Sequence, residues 1–457
     1  MNEKWAKRLR RIPERQWFLL ALFGSVLLGS FFERGRMALQ LYCVLPWAAG
    51  LCYSRLRGRR MARTAANGFL LVGALVLTAT CAYRSAFDMP RWLALAGMGV
   101  YALVVSQPEG GPKALRGEVR VVAALLVVCV TPMMLLGVAS VFAGRPFQFL
   151  NEKIPVGITG AGELTSRIQV LGNTNTAARS SVLAAILAVY LLCVSRRRWI
   201  KALLAVSIVI LTMALAHTQS RTGLVAYGAA AGAMAFRGIW LKLEGKKGRW
   251  LAALLAALAA AGIAMAGVNL LYSVDIRIAS ALQARRTAGV EAAGMEAEAV
   301  DAVSRAVSSD VIYPEGSGRL EIWRNVVAYL KSHPKTFLVG LGTGDIVHQV
   351  IDASSLEANT AHLHNSLLEC LVRGGVPLLI CAVGYLCALV KPAARALTAR
   401  EPEVRRGEWV LAVLVGVLAV MSMTENTIYT SGAWANGLFF LAAGWLLNEK
   451  TEREESE

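Results

Sequence analysis

Long uninterrupted apolar runs alternate with short polar connections along this chain. Trp17–Phe32, Met37–Ser54, Phe69–Tyr83, Val121–Phe142, Trp199–Ala216, Leu251–Tyr272 and Val410–Met423 are the clearest. Crossing a hydrocarbon core takes about 20 helical residues, and runs of this length in such number have no explanation in a soluble core. They predict an all-α polytopic membrane protein of about twelve transmembrane helices. The predicted spans are 17–33, 37–54, 66–83, 92–106, 121–143, 180–195, 199–217, 222–240, 250–272, 365–390, 409–425 and 431–447. Composition agrees: 56% of the 457 residues are hydrophobic.

Charge then gives the spans a direction. The net charge of +18 sits in short clusters on every second connection. Lys4 to Arg15, Arg55 to Arg63, Lys113 to Arg120, Arg196 to Lys201, Arg237 to Arg249, Lys391 to Arg406 and Lys450/Arg453 form the basic set. The alternate short connections are poor in Lys and Arg, with Arg221 alone in one and none in Glu425–Ser431. Basic loops face the cytoplasm, so both termini are expected inside and the first helix is expected to be an uncleaved anchor. The charge is a topology signal, not a nucleic-acid footprint. All eight cysteines fall in predicted spans and no CxxC occurs, so neither a disulfide frame nor a zinc site is indicated.

This division predicts an N-terminal bundle at 1–272, a large and mainly helical extracytoplasmic loop at 273–364, and C-terminal helices at 365–457. The other long exterior connection, Gly144–Arg179, carries Gly, Pro and Asn and reads as irregular or re-entrant. In the large loop, Ala279–Val307 is rich in Ala, Glu and Arg, predicting one or two helices interrupted near Gly289 and Gly294. A further helix is predicted at Leu320–Ser332, with an apolar stripe of Ile322, Val326, Tyr329 and Leu330, ended by Pro334. Gly340-Leu341-Gly342-Thr343-Gly344 lacks the GxGxxG spacing and any βαβ context, so it reads as a tight turn.

Candidate chemistry gathers on the exterior side. His362 and His364 are two residues apart, which on a helix points them in nearly opposite directions, so a shared metal needs extended backbone. Ser366-x-x-Glu369 is a capping-box pattern that starts a helix near Ser366. That leaves His364 just before a helix N-terminus, as a structural histidine or as one that meets substrate. Arg221 in Gln219–Gly223 opens a helix beside free backbone N–H groups, which makes an anion site; an arginine snorkelling to lipid phosphate is the alternative. Arg319 follows a glycine turn and opens the next helix, where a solvated surface charge is the alternative. Together, two guanidinium forks suit a diphosphate, and a neutral histidine suits removal of a hydroxyl proton near pH 7. Glu425, at the outer end of the eleventh span, either orients the histidine, binds sugar hydroxyls or solvates a helix end.

The ordered set of motifs resembles the O-antigen ligase/polymerase family. It comprises Gly172–Asn175, Ser220–Gly223, Gly318–Trp323 running into Pro334 and Gly340–Gly342, and Ala361–Glu369 followed by Gly374–Val376, within residues 145–445. The resemblance implies a metal-independent membrane glycosyltransferase of the C-type superfamily, with no cofactor. Its expected setting is the bacterial inner membrane with the active site facing outward. Its expected partners are a polyprenyl-diphosphate-linked glycan donor and a glycan, lipid or protein acceptor. By position, Arg221 and Arg319 would hold the diphosphate and His364 would act as base, with inversion at the anomeric carbon. Asn365 and His362 are supporting candidates, although His364, directly before Asn365, fits the motif better. Ala279–Asp310 matches none of the family motifs. A ligase, a repeat-unit polymerase and a protein O-oligosaccharyltransferase all remain open within the family. A lipid-linked saccharide transporter is the alternative from another class, disfavoured by the scarcity of ionisable residues within the spans.

Overall fold

In hydrocarbon every backbone N–H and C=O needs an internal partner, which favours unbroken helices wherever the sequence is apolar. The computed structural model describes residues 14–29, 47, 49–51, 53, 65–84, 111–143, 147–148, 155–158, 168–169, 174–292, 319–343, 350, 363–400, 407–425 and 434–454. Before the first long connection come α1 (Glu14–Gly29), α2 (Ala65–Arg84) and α3 (Gly111–Ala143). Next are α4 (Thr174–Val194), α5 (Arg198–Thr218), α6 (Arg221–Lys242) and α7 (Arg249–Ala292). The chain continues through α8 (Arg319–Ser332), α9 (Pro334–Val339), α10 (Ser366–Thr398), α11 (Trp409–Ser422) and α12 (Trp434–Glu454).

Seven of these are long and apolar enough to cross a membrane: α2, α3 from Arg116, α4, α5, α6, α7 as far as Ala279, and α10. They coincide with seven predicted spans, and the chain is a mainly helical, multi-pass membrane protein. The apolar part of α12 and all of α11 are shorter, at Ala435–Leu447 and Trp409–Ser422. The predicted span 92–106 and most of 37–54 lie outside the described residues.

The first long connection, expected to be irregular or re-entrant, adds a small antiparallel meander to an otherwise helical set of described residues. Strands β1 (Phe147–Gln148), β2 (Pro155–Ile158) and β3 (Ile168–Gln169) are in register as Phe147↔Val156 and Ile158↔Ile168. One expectation needs correction. The helix predicted to begin near Ala279 is a direct continuation of α7, which runs 44 residues without a break through Gly289. Nothing in that Pro-free, Ala- and Arg-rich stretch stops a helix, and a single glycine costs only about 1 kcal/mol. At 1.5 Å per residue α7 is about 66 Å long, roughly twice a hydrocarbon core of about 30 Å.

The described chain forms two compact units. One comprises residues 123–315 and 400–410. Within it α4 is buried along most of its length, whereas α7 exposes Leu251, Leu254, Leu255, Leu258, Ile263 and Leu270, the signature of a lipid-facing helix. Gly232 lets α6 approach α7, since a Cβ there would sit 2.9 Å from the Ala257 carbonyl oxygen. At the α6–α7 turn Arg249 lies 3.6 Å over the Trp240 ring and donates to the Trp240 carbonyl.

The other unit comprises residues 1–122, 316–399 and 411–457. A buried ion pair of 2.8 Å joins Arg15 of α1 to Glu118 of α3. Tyr385 of α10 packs against Phe439 and Phe440 of α12. Helix α10 breaks at Gly375, whose φ of 65° and ψ of −165° are not helical. Pro377 has no N–H to give to the Arg373 carbonyl four residues back. The segment after α9 supplies the replacement: Gly342 N donates to Arg373 O at 2.9 Å, and Leu341 N to Val372 O at 2.8 Å. From α2, Thr80 Oγ1 donates to Val339 O and Arg84 Nε to Gly340 O, each at 2.9 Å. The glycine-spaced segment is thus a structural plug for a helix break, in keeping with the tight turn expected of it. Helix α8 starts at Arg319, one residue earlier than predicted, and buries Ile322, Val326 and Leu330 of the predicted stripe. Pro334 does not only follow that helix; it opens α9 behind the capping residue His333.

These contacts predict that Gly375→Ala, whose Cβ would collide with the Leu338 carbonyl, destabilises the protein by upwards of about 2 kcal/mol. Gly416→Ala, with nothing within 4 Å, leaves stability unchanged or raises it slightly. Thermal unfolding of the two full-length variants in detergent checks the contrast.

Candidate active site

Helix α10 begins at a side-chain cap. Asn365 Oδ1 accepts from the N–H groups of Leu367 and Leu368, both at 3.0 Å, satisfying two of the helix's orphan donors. Ser366 and Glu369 do not form the predicted capping box. Asn365, with its short acceptor and extended backbone, occupies the cap instead. Ser366 Oγ donates to Glu425 O at 3.3 Å. Asn365 Nδ2 donates to Met423 O at 3.0 Å. These two bonds sew the start of α10 to the turn that follows α11.

His364, one residue before the cap, is non-glycine yet has a φ of 51°. Such a conformation costs of the order of 1–3 kcal/mol and persists only where the surroundings impose it. Its Nδ1 lies 3.4 Å from Glu425 Oε2, and the other oxygen, Oε1, accepts from Arg319 Nη2. One carboxylate, with its side chain 12% exposed, therefore meets both a guanidinium and an imidazole. A carboxylate only accepts, so a neutral His364 carries its proton on Nδ1 and presents the Nε2 lone pair. The arrangement brings a guanidinium and an imidazole to the two oxygens of one carboxylate.

Two further residues hold this cluster, and the sequence pattern alone marks neither as part of a site. Trp323, one turn along α8 from Arg319, donates Nε1–H to Leu363 O at 3.0 Å. Glu369 accepts from Leu363 N at 3.2 Å through Oε2, while its Oε1 takes Arg373 Nε and Nη2 at 3.0 and 2.7 Å. In the sequence Trp323 stands only as the last residue of a motif, and Glu369 is expected in the capping box. The i,i+4 spacing of Glu369 and Arg373 is the signal that points to their pairing.

Arg221 belongs to the other unit. It is the first residue of α6 and is exposed. Ser220 caps the helix, accepting from Gly223 N and donating to Asn175 Oδ1 at 3.1 Å. The preceding turn is tight: Gln219 has a φ of 51° and its amide donates to the Tyr272 hydroxyl at 2.5 Å. Beside it His217 Nε2 lies 3.3 Å from Asp275 Oδ2, both groups buried. The Arg221 turn is thus braced from α4 and from α7. The His217–Asp275 pair also escapes a reading of periodicity, although an acid and a histidine in otherwise apolar helices are a usable signal. His362 lies outside the described residues.

Asn365→Ala is predicted to cost about 0.5–2 kcal/mol through loss of the cap. Asn365→Asp keeps the cap, loses the bond to Met423 and falls between the two in melting temperature.

Comparison with known proteins finds no match among curated proteins. A family model described as O-antigen ligase matches residues 206–383. That segment includes Arg221, Arg319, His364, Trp323 and Glu369, and it ends before Glu425. Residues 206–383 are thus similar to the O-antigen ligase domain.

Proposed function

We propose that this protein transfers a glycan from a polyprenyl-diphosphate carrier to an acceptor hydroxyl at the outer face of the bacterial inner membrane. The family domain supports a membrane glycosyltransferase of the O-antigen ligase/polymerase type. The observation that carries the finer reading is the carboxylate of Glu425, with Arg319 on one oxygen and His364 on the other. The alternation of basic and non-basic connections supports cytoplasmic termini and an outward site.

In this reaction His364 Nε2 takes the proton of the acceptor hydroxyl. The acceptor oxygen bonds to the anomeric carbon as the bond from that carbon to the phosphate oxygen breaks, and the electron pair leaves with the diphosphate. Attack opposite the leaving group inverts the anomeric centre. Arg319, oriented by Glu425, and Arg221 offset the charge developing on the leaving diphosphate; stabilisation of this kind commonly lowers the barrier more than any other single effect. Their forked donors match phosphate oxygens in a way a lysine does not. The Nδ1 contact to Glu425 holds the ring so that Nε2 is the basic nitrogen. None of these steps draws on a nucleotide, a metal or another cofactor. Lipid A core, a growing saccharide chain and a protein hydroxyl are the three acceptor classes to compare.

Reconstitution into liposomes with an undecaprenyl-diphosphate glycan, no nucleotide and each acceptor class tests the reading. Transfer to one of them is expected, and Arg221→Ala, Arg319→Ala and His364→Ala should each lower it by about 100-fold or more at normal membrane levels. Full transfer by all three variants would refute these roles. Movement of the glycan across the bilayer without transfer would instead support a transporter.

A further inference from the structure

We infer that Trp323 and Glu369 are positioning residues that fix the backbone of His364 by clamping the Leu363 peptide groups; this rests on the transferase reading above. A left-handed φ at a histidine has to be imposed from both sides of its Cα. On the N-terminal side, the peptide plane joining Leu363 to His364 is held through the Leu363 carbonyl, which accepts from Trp323 Nε1 at 3.0 Å. The plane before it is held through the Leu363 N–H, which donates to Glu369 Oε2 at 3.2 Å. On the C-terminal side, Asn365 is fixed by its cap and by its bond to Met423.

The clamp is itself rigid. The Leu363 side chain is fully buried among Ile322, Val326, Leu330 and Val372. Glu369 is fully buried and receives two bonds from Arg373, so its carboxylate has little freedom to turn. Trp323 stands on the same helix as Arg319, one turn away. The contacts therefore close a ring: α8 reaches Glu425 through Arg319, Glu425 meets His364, and the peptide before His364 returns to α8 through Trp323. The helix that supplies the diphosphate-binding guanidinium also sets the position of the base. Misplacing a reacting group by about 1 Å can cost on the order of 100-fold in rate, so a single indole N–H in this ring influences turnover without touching substrate.

Trp323→Phe keeps most of the aromatic packing and removes that N–H. In the liposome assay with undecaprenyl-diphosphate glycan and the acceptor class that supports transfer, kcat per folded molecule should fall by about tenfold or more while the donor KM stays within about twofold. Glu369→Gln, which keeps an acceptor for Leu363 but loosens the hold of Arg373, should show the same split with a smaller fall in kcat. It serves as the deciding variant if Trp323→Phe does not accumulate in the membrane. Unchanged kcat with a lower melting temperature would overturn the inference, because it describes packing alone. A raised KM at unchanged kcat would overturn it as well. If His364→Ala transfers as well as the parent, the transferase reading fails first; if His364→Ala is inactive and Trp323→Phe turns over normally, only the clamp is wrong.

Discussion

The local arrangement depends on one carboxylate. Glu425 sits in a turn after α11, mostly withdrawn from solvent, and meets a guanidinium and an imidazole that come from different parts of the chain. A partly buried arginine needs an opposite charge nearby, because desolvation of an unpaired cation is expensive. The same carboxylate gives His364 a fixed direction. Its backbone carbonyl also accepts from Ser366 at the start of α10. Side chain and backbone of one residue thus tie α8, the His364 turn and α10 together.

Below that turn the fold solves a second problem, imposed by the medium. A kinked helix leaves backbone carbonyls without partners, and a hydrocarbon setting offers no water to satisfy them. Pro377 and Gly375 break α10, and the segment after α9 fills the gap with the N–H groups of Leu341 and Gly342. Gly340 and Gly375 both hold positive φ, and a side chain at either would strike the opposing backbone. The glycines of this tight turn are therefore explained by helix repair. The same repair anchors α9 and α8 against α10, so that Arg319 and the start of α10 share one rigid neighbourhood.

Much of this is legible in the sequence, and the exceptions have physical reasons. Spans such as 199–217 and 222–240 agree with α5 and α6 to within two residues, because an apolar run bounded by charges defines both ends. Arg221, Arg319 and His364 are expected at helix starts or just before one, and are found there. Local competition is what pattern alone does not resolve. Asn365 takes the cap that Ser366 is expected to make, and Glu369 turns to a backbone N–H and to Arg373 instead. The continuation of α7 past Ala279 is hidden because the change from apolar to charged composition ends a span without ending a helix. The roles of Trp323, of Glu369 and of the His217–Asp275 pair arise from contacts 40, 6 and 58 residues apart in the chain, which no local periodicity displays.

A double-mutant cycle on transfer rate tests most directly whether Arg319 acts through the Glu425 carboxylate in the proposed transfer. Glu425→Gln and Arg319→Lys are mild enough to leave measurable turnover, singly and together. If the two act through one carboxylate, the double variant should lose less than the product of the single losses, by about fivefold or more, which is a coupling of about 1 kcal/mol. Losses that multiply would show that Arg319 and Glu425 act independently, and would contradict the account.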